Sequence, residues 1–297
     1  MKPPAFPGPD APETRAGLHR RDWLARAGAA ALALGAARLA AAAPRPVLSF
    51  GVVPQQSATE LARVWIPVLA MLSERAGLDL RFATAPDIPT FERRMAAGLY
   101  DVAYMNPYHY SVFARRPGYV AFAREKGRML RGLVVVRRDS PVQDLRELAG
   151  RPIAFPAPAA FAATVLVRAE FARMNVPIEP RYVNSHESVY LNVAHQQFDA
   201  GGGINRTLQT MDPAVRAELR VLWQTREYTP HAFAAHPRVP PAARDALRGA
   251  MLGADASAAN RPALDGIGFK GFEEARDADW NDVRALGLDL LSSLLKS

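Results

Sequence analysis

The chain has 297 residues, 49% of them hydrophobic and 22% charged, with a formal net charge of +8 and no cysteine. That length suits one large domain or two smaller ones, and the composition is that of a globular protein. The missing cysteines exclude thiolate metal sites, iron–sulfur clusters, disulfides and thiol catalysis; the basic residues come in short pairs such as Arg93-Arg94 and Arg115-Arg116, not in the block of a nucleic-acid binder.

Residues 1–43 read as an export signal. Arg20-Arg21 precede Trp23-Leu24, an Ala/Leu/Gly run spans Ala27 to Ala37, and Ala40 to Ala43 offer small-residue cleavage sites. This is the layout of a signal peptide, and the arginine pair before a bulky apolar pair is that of a twin-arginine signal. The run is shorter than the roughly 20 apolar residues of a spanning helix. A periplasmic monomer without stable membrane insertion after cleavage is therefore expected.

In the remainder, an apolar strand at 47–54 ends in Pro54. A helix follows, with Leu61, Val64, Trp65, Val68, Leu69 and Leu72 at helical spacing and Gly77 as its stop. A strand at 78–85, a helix at 88–98 and a strand through 99–105 continue the alternation. Pro107 ends that strand near Asn106. Further on come a strand at 131–140, a strand at 152–155, a helix at 159–176, a strand at 180–185, a helix at 186–198, a glycine-rich segment at 199–205 and a strand at 219–225. Beyond Pro240 the chain reads as mostly helical. Alternating strands and helices argue for an α/β protein with mixed, largely parallel sheets. The pattern restarts after about residue 137, which favours two lobes joined by a hinge: residues 44–136 and 231–297 in the first, 137–230 in the second.

Catalytic motifs are missing. No G-x-S-x-G or phosphate loop occurs, and the histidines lack metal-ligand spacing. No cofactor or metal is expected. Gly201-Gly202-Gly203 reads either as a source of backbone donors or as a strand end with no room for side chains. In open α/β sheets ligands sit beyond the carboxyl ends of strands. That places the run YMNPYHY (104–110) beside the loop Pro54-Gln55-Gln56-Ser57.

With these pieces in order, the chain resembles the phosphate/phosphite/phosphonate-type substrate-binding proteins of ABC transporters. The likeness rests on GVVP (51–54), Trp65-Ile66-Pro67, DVAYMNPYHY (101–110), HESVYLNVAHQQFDAG (186–201, with Gln197 where the family has Gly) and GIGFKGFEEARDADW (266–280). The resemblance implies the type II periplasmic-binding fold, no enzymatic activity, a small ligand clamped between the lobes and a membrane permease as partner. It implies ligand contacts from Gln55, Gln56 and Ser57, from Tyr104, Asn106 and Tyr108, from the helix start at Ala159, Ala160 and Phe161, from His186 and from Asn205. Two other readings share these residues: a sensor presenting its ligand to a membrane histidine kinase, and an exported enzyme built on His186, Glu187 and Tyr108.

One departure bears on the ligand. Where phosphonate binders carry a Ser/Thr-rich helix start, this chain has FPAPAAFAAT (155–164), with Thr164 as its only hydroxyl. Asn205 stands where the family often has an acid. Each hydrogen bond not made to an oxyanion costs roughly 0.5–1.5 kcal/mol. A less charged, partly apolar or aromatic ligand fits such a wall.

Overall fold

A computed structural model describes Met1 and residues 44–291; the expected export signal otherwise lies outside the described residues. From Arg45 onward the chain is one compact unit built on two sheets. The first contains β1 (Val47–Val52), β2 (Asp79–Ala83), β3 (Val102–Met105), β4 (Val120–Glu125), β10 (Ala232–Ala235) and β11 (Phe272–Glu274), in the order β11-β4-β10-β3-β1-β2. The second contains β5 (Gly132–Arg137), β6 (Pro152–Phe155), β7 (Glu179–Tyr182), β8 (Ala200–Ile204) and β9 (Leu219–Gln224), in the order β7-β6-β8-β5-β9.

Each sheet is parallel where the chain alternates strand and helix, and antiparallel where it returns. β1 runs parallel to β2 and β3, and β6 parallel to β7 and β8. β10 lies antiparallel between β3 and β4, and β5 antiparallel between β8 and β9. The strand expected at 131–140 is thus β5 of the second sheet. Residues 132–136, assigned from sequence to the first lobe, pair with the second. The chain crosses between sheets just before Gly132 and returns after Gln224. There the two passages lie side by side, with Leu130 and Tyr228 exchanging backbone hydrogen bonds at 2.8 and 2.9 Å.

The helices follow their caps. The helix α1 (Ala58–Ala76) starts at Ser57, whose hydroxyl accepts the Glu60 N–H, and stops at Gly77, whose φ of 66° is the left-handed turn that glycine adopts freely. Its buried face is Leu61, Trp65, Val68, Leu69 and Leu72, the periodic set read from sequence save the half-buried Val64. The helix α2 (Ile88–Ala96) is capped by Asp87. The strand β3 ends at Met105, and Asn106 caps a short helix not read from sequence, α3 (Pro107–Phe113), with Pro107 in its first turn, where the missing N–H costs nothing.

In the second half the expected helix at 159–176 divides into a π-helical stretch, Phe161–Leu166, and α4 (Val167–Arg173). The wide turn presses its carbonyls onto the sheet. A Cβ on Gly132 would lie 2.0 Å from the Ala162 oxygen, and one on Gly202 2.1 Å from the Ala163 oxygen. Gly201 and Gly203 give way in the same manner to Val189 and to Tyr190. The glycine run is therefore a close-packing device, the second of the two readings left open above. The helices α5 (His186–Ala194), α6 (Asn205–Thr210) and α7 (Pro213–Ala217) complete this half. The tail returns to the first sheet with α8 (Pro241–Leu252), α9 (Arg261–Gly266) and α10 (Asn281–Arg284), plus the short strand β11.

Candidate functional site

The carboxyl ends of β1 and β3 meet the second half along a line of hydrogen bonds. The Asn106 amide donates to the Ala159 carbonyl at 3.3 Å while its oxygen caps α3. The Ser57 N–H donates to the Glu187 carboxylate at 2.9 Å, and the Glu187 N–H to the Gln55 carbonyl at 3.3 Å. The Gln56 amide reaches the Thr210 hydroxyl at 3.4 Å. Farther along, Arg206 of α6 forms a buried ion pair with Glu125 of β4, donates to the Ile267 carbonyl at 3.1 Å and lies over the Phe269 ring at 4.3 Å.

Three spaces open along this line. The innermost is a cavity of about 10 Å³, room for a single water. Gln55, Asn106, Ala160, Phe161, His186 and His231 are among its walls, with Val53, Ile88, Leu130, Ala162 and Ile204 completing them. A chamber of about 220 Å³ shares Val53 and Gln55 with it and extends past Gln56, Trp65, Tyr104 and Phe269 to α6. A crevice of about 280 Å³ lies toward the strand crossing, lined by Arg128, Arg131, Asn205 and Glu227, among others.

The inner cavity is polar on one side and carries no formal charge. His231 lies face to face with Tyr104, ring centroids 5.0 Å apart, and its Nε2 sits 2.9 Å from the Gln55 amide nitrogen. Burial holds His231 well below the ordinary imidazole range, with the nearby Arg206 adding to it. The ring is therefore neutral, and Gln55 donates to Nε2. Burial also lowers His186 to about 3, and its Nδ1 meets no hydrogen-bond partner. From the second half come Ala160 and Phe161, the latter packed edge-on to Tyr228 at 5.5 Å. The first bond of the π-helical turn runs from the Thr164 N–H to the Ala160 oxygen at 2.8 Å. The N–H groups of Phe161, Ala162 and Ala163 precede it, so no carbonyl within the turn takes them. The Thr164 hydroxyl is fully buried and unpartnered.

The residues expected at the site divide into groups. Gln55, Asn106, Ala160, Phe161 and His186 line the inner cavity; Gln55, Gln56 and Tyr104 line the chamber; Asn205 lies on the crevice. Ser57 and Ala159 act through backbone groups in the contacts between the halves. Tyr108 is a correction. Its hydroxyl accepts the N–H groups of Leu290 and Leu291 at 2.7 and 3.2 Å, because α3 turns it toward the C-terminal segment. Its neighbours are likewise committed, His109 to Glu92 at 2.9 Å and Tyr110 to Asp277 at 2.8 Å. The grouping of His186, Glu187 and Tyr108 is not assembled either, since Glu187 is held by Ser57 and Tyr108 by the tail.

Sequence reasoning missed His231 and Arg206. His231 directly precedes β10, whose four residues Ala-Phe-Ala-Ala are too short and too poor in branched side chains to read as a strand. Arg206 looks like one of many surface arginines. Its one sequence signal is its place directly after Asn205, at the end of the glycine-rich segment. Among the described residues no group of three or more His, Asp or Glu side chains could hold a metal ion, and no helix is long and apolar enough to cross a membrane.

Residues 50–280 match the family described as the periplasmic substrate-binding protein of phosphonate ABC transporters. The phosphate-import protein PhnD of Mycolicibacterium smegmatis is 22% identical, with 81% of this chain and 80% of that protein aligned. Among solved structures, the binding-protein component of an ABC phosphonate transporter from Pseudomonas aeruginosa superposes with a TM-score of 0.75 at 19% identity, covering 82% of this chain and 86% of that one. PhnD1 from Prochlorococcus marinus, in complex with methylphosphonate, gives 0.74 at 15% identity, covering 81% and 97%.

Proposed function

The chain belongs to the periplasmic substrate-binding proteins of phosphonate-type ABC transporters, and from that premise we propose that its cleft captures a compact ligand of low charge, neutral or singly anionic, in place of a phosphorus dianion. Its role is that of a solute-binding component, with the type II periplasmic-binding fold closing on the ligand from two sides. The observation that carries the ligand reading is the inner wall. Among the residues lining the cavity there is no cationic side chain and no hydroxyl, and both imidazoles are neutral. A doubly charged oxyanion placed there would lose its hydration for a few amide and imidazole donors, at a cost that unpaired buried charge makes large. One acceptor oxygen of an amide or carboxyl group is well served. It faces the leading N–H groups of the π-helical turn, at the favourable end of the helix dipole, with the Asn106 and Gln55 amides beside it.

A permease is the partner in this reading, and residues 1–43 carry the chain to the periplasm. The test is a thermal-shift series on the purified protein with phosphate, phosphite and methylphosphonate against acetamide, acetate and their larger homologues. A ligand that binds only the folded state raises the midpoint by mass action. The expected result is a shift with an uncharged or singly charged compound, weakened in His231→Phe and Asn106→Ala, and none with the phosphorus oxyanions. A shift confined to phosphite or methylphosphonate would overturn the reading.

A further inference from the structure

The inner cavity and its neighbour are badly matched in size. About 10 Å³ holds a water, whereas the adjoining chamber measures about 220 Å³. An apolar cavity of about 150 Å³ is enough to take a benzene ring. The chamber is reached past Val53 and Gln55, which belong to both spaces. Its wall on the first-sheet side is aromatic: Trp65 packs on Tyr104 at 5.0 Å and edge-on to Phe269 at 6.1 Å. Its opposite side is α6, where Thr207 and Thr210 face it.

The charges around the chamber are already spent on one another. Arg206 is paired with Glu125, and at the rim Arg63 is bonded twice to Glu60, at 2.8 Å and closer. One polar group is not spent. The Tyr104 side chain is buried, and its hydroxyl, with the Arg206 guanidinium nearby, makes no hydrogen bond of good geometry. It stands in the wall of the chamber beside the imidazole that reaches the inner cavity.

We propose that the chamber is a second compartment of the ligand site, taking a ring-sized apolar or aromatic substituent that is attached to the small headgroup held at Gln55, Asn106 and His231. The ligand class is then a small aromatic or branched aliphatic amide or monoacid. Tyr104 donates to a headgroup oxygen on the side where the substituent leaves, and Trp65 and Phe269 cover the ring. This inference rests on the reading of the cleft as the solute site, but it concerns the substituent and not the headgroup.

A matched series separates the two. Acetamide, acetate and methylphosphonate are compared with benzamide, benzoate and phenylphosphonate, by titration calorimetry on the full chain. The ring compound of the best headgroup pair should bind at least about tenfold tighter than its methyl counterpart, the yield of a filled apolar pocket. Gly266→Phe, at a chamber-lining position where an added Cβ meets nothing within 4 Å, should remove that advantage and leave the methyl compound within about twofold. Val64→Phe narrows the same chamber from α1 and should act alike. Tyr104→Phe should weaken the ring compound with no change in thermal midpoint. Equal affinity for ring and methyl partners, ring binding untouched by both narrowing variants, or no binding of any ring compound at millimolar concentration overturns the second compartment. A phosphonate headgroup winning while ring still beats methyl would leave the compartment standing and overturn the low-charge headgroup.

Discussion

The two walls of the cleft are built on different principles. The first-sheet wall is polar and fixed from below: Gln55 leaves β1, Asn106 caps α3, and His231 is clamped between the Gln55 amide and the Tyr104 ring. The second-sheet wall is alanine and phenylalanine on a π-helical turn, seated on glycines that leave no room for a Cβ. Specific hydrogen bonding therefore comes from one half and shape from the other, with His186 the one polar side chain the second half adds to the inner cavity. In the proposed reading such a clamp recognises a headgroup with one jaw and presses it with an apolar surface on the other. It suits a ligand with few hydrogen-bonding groups.

Removing what joins the walls should have the largest effect. Arg206→Met leaves the buried Glu125 carboxylate with only its longer contact to Arg128 at 3.4 Å, which costs up to about 3 kcal/mol of stability; denaturant titration of the variant measures it, and the double variant with Glu125→Gln should recover most of the loss. Gly202→Ala attacks the second wall alone. The new methyl meets the Ala163 carbonyl and the Phe155 ring, so overpacking of about 1–3 kcal/mol is expected, with binding lost more steeply than stability.

The histidines give a pH signature to the polar side. Burial lowers His186 to about 3 and lowers His231 as well. The unfolded chain then binds more protons than the folded one, so stability is full above about pH 6.5 and falls as the pH drops toward 3. By pH 5 the His186 share alone is about 2 kcal/mol. Midpoints measured between pH 7.5 and 5 should decline steeply, and less so in His186→Gln. Asn106→Ala should cost about 1 kcal/mol through the lost cap on α3 and should also loosen the Ala159 contact. The smallest effect is Tyr104→Phe. It removes a hydroxyl that makes no hydrogen bond of good geometry, so stability should hold within about 0.5 kcal/mol.

The difference between the walls also marks what could be read in advance. The loop at Gln55 and the strand end at Asn106 were legible because proline and a cap residue punctuate the chain there, and hydrophobic periodicity fixed α1 down to its buried residues. Tyr108 misled because an aromatic run after a strand was read as a surface, whereas Pro107 started a helix that turned successive side chains to different neighbours. β4, β10 and β11 escaped notice. β10 and β11 are short, β4 mixes alanine with charge, and all three gain their place from antiparallel partners distant in sequence. His231 and the Arg206 ion pair depend on those placements, so His231 had no local signal and Arg206 only its position after Asn205. The π-helical turn was hidden for a related reason: only the glycines of β5 and β8 across the sheet allow it.

The central claim is that the apolar second wall has lost the coordination a phosphorus dianion needs. Titration calorimetry of the full chain with methylphosphonate at about pH 8.5, where the ligand is a dianion, tests it directly. The account predicts a Kd weaker than about 1 mM, less than about 4 kcal/mol of binding energy. A micromolar Kd, lost in His231→Phe, would contradict it and would mean that backbone N–H groups and neutral imidazoles suffice to hold the dianion.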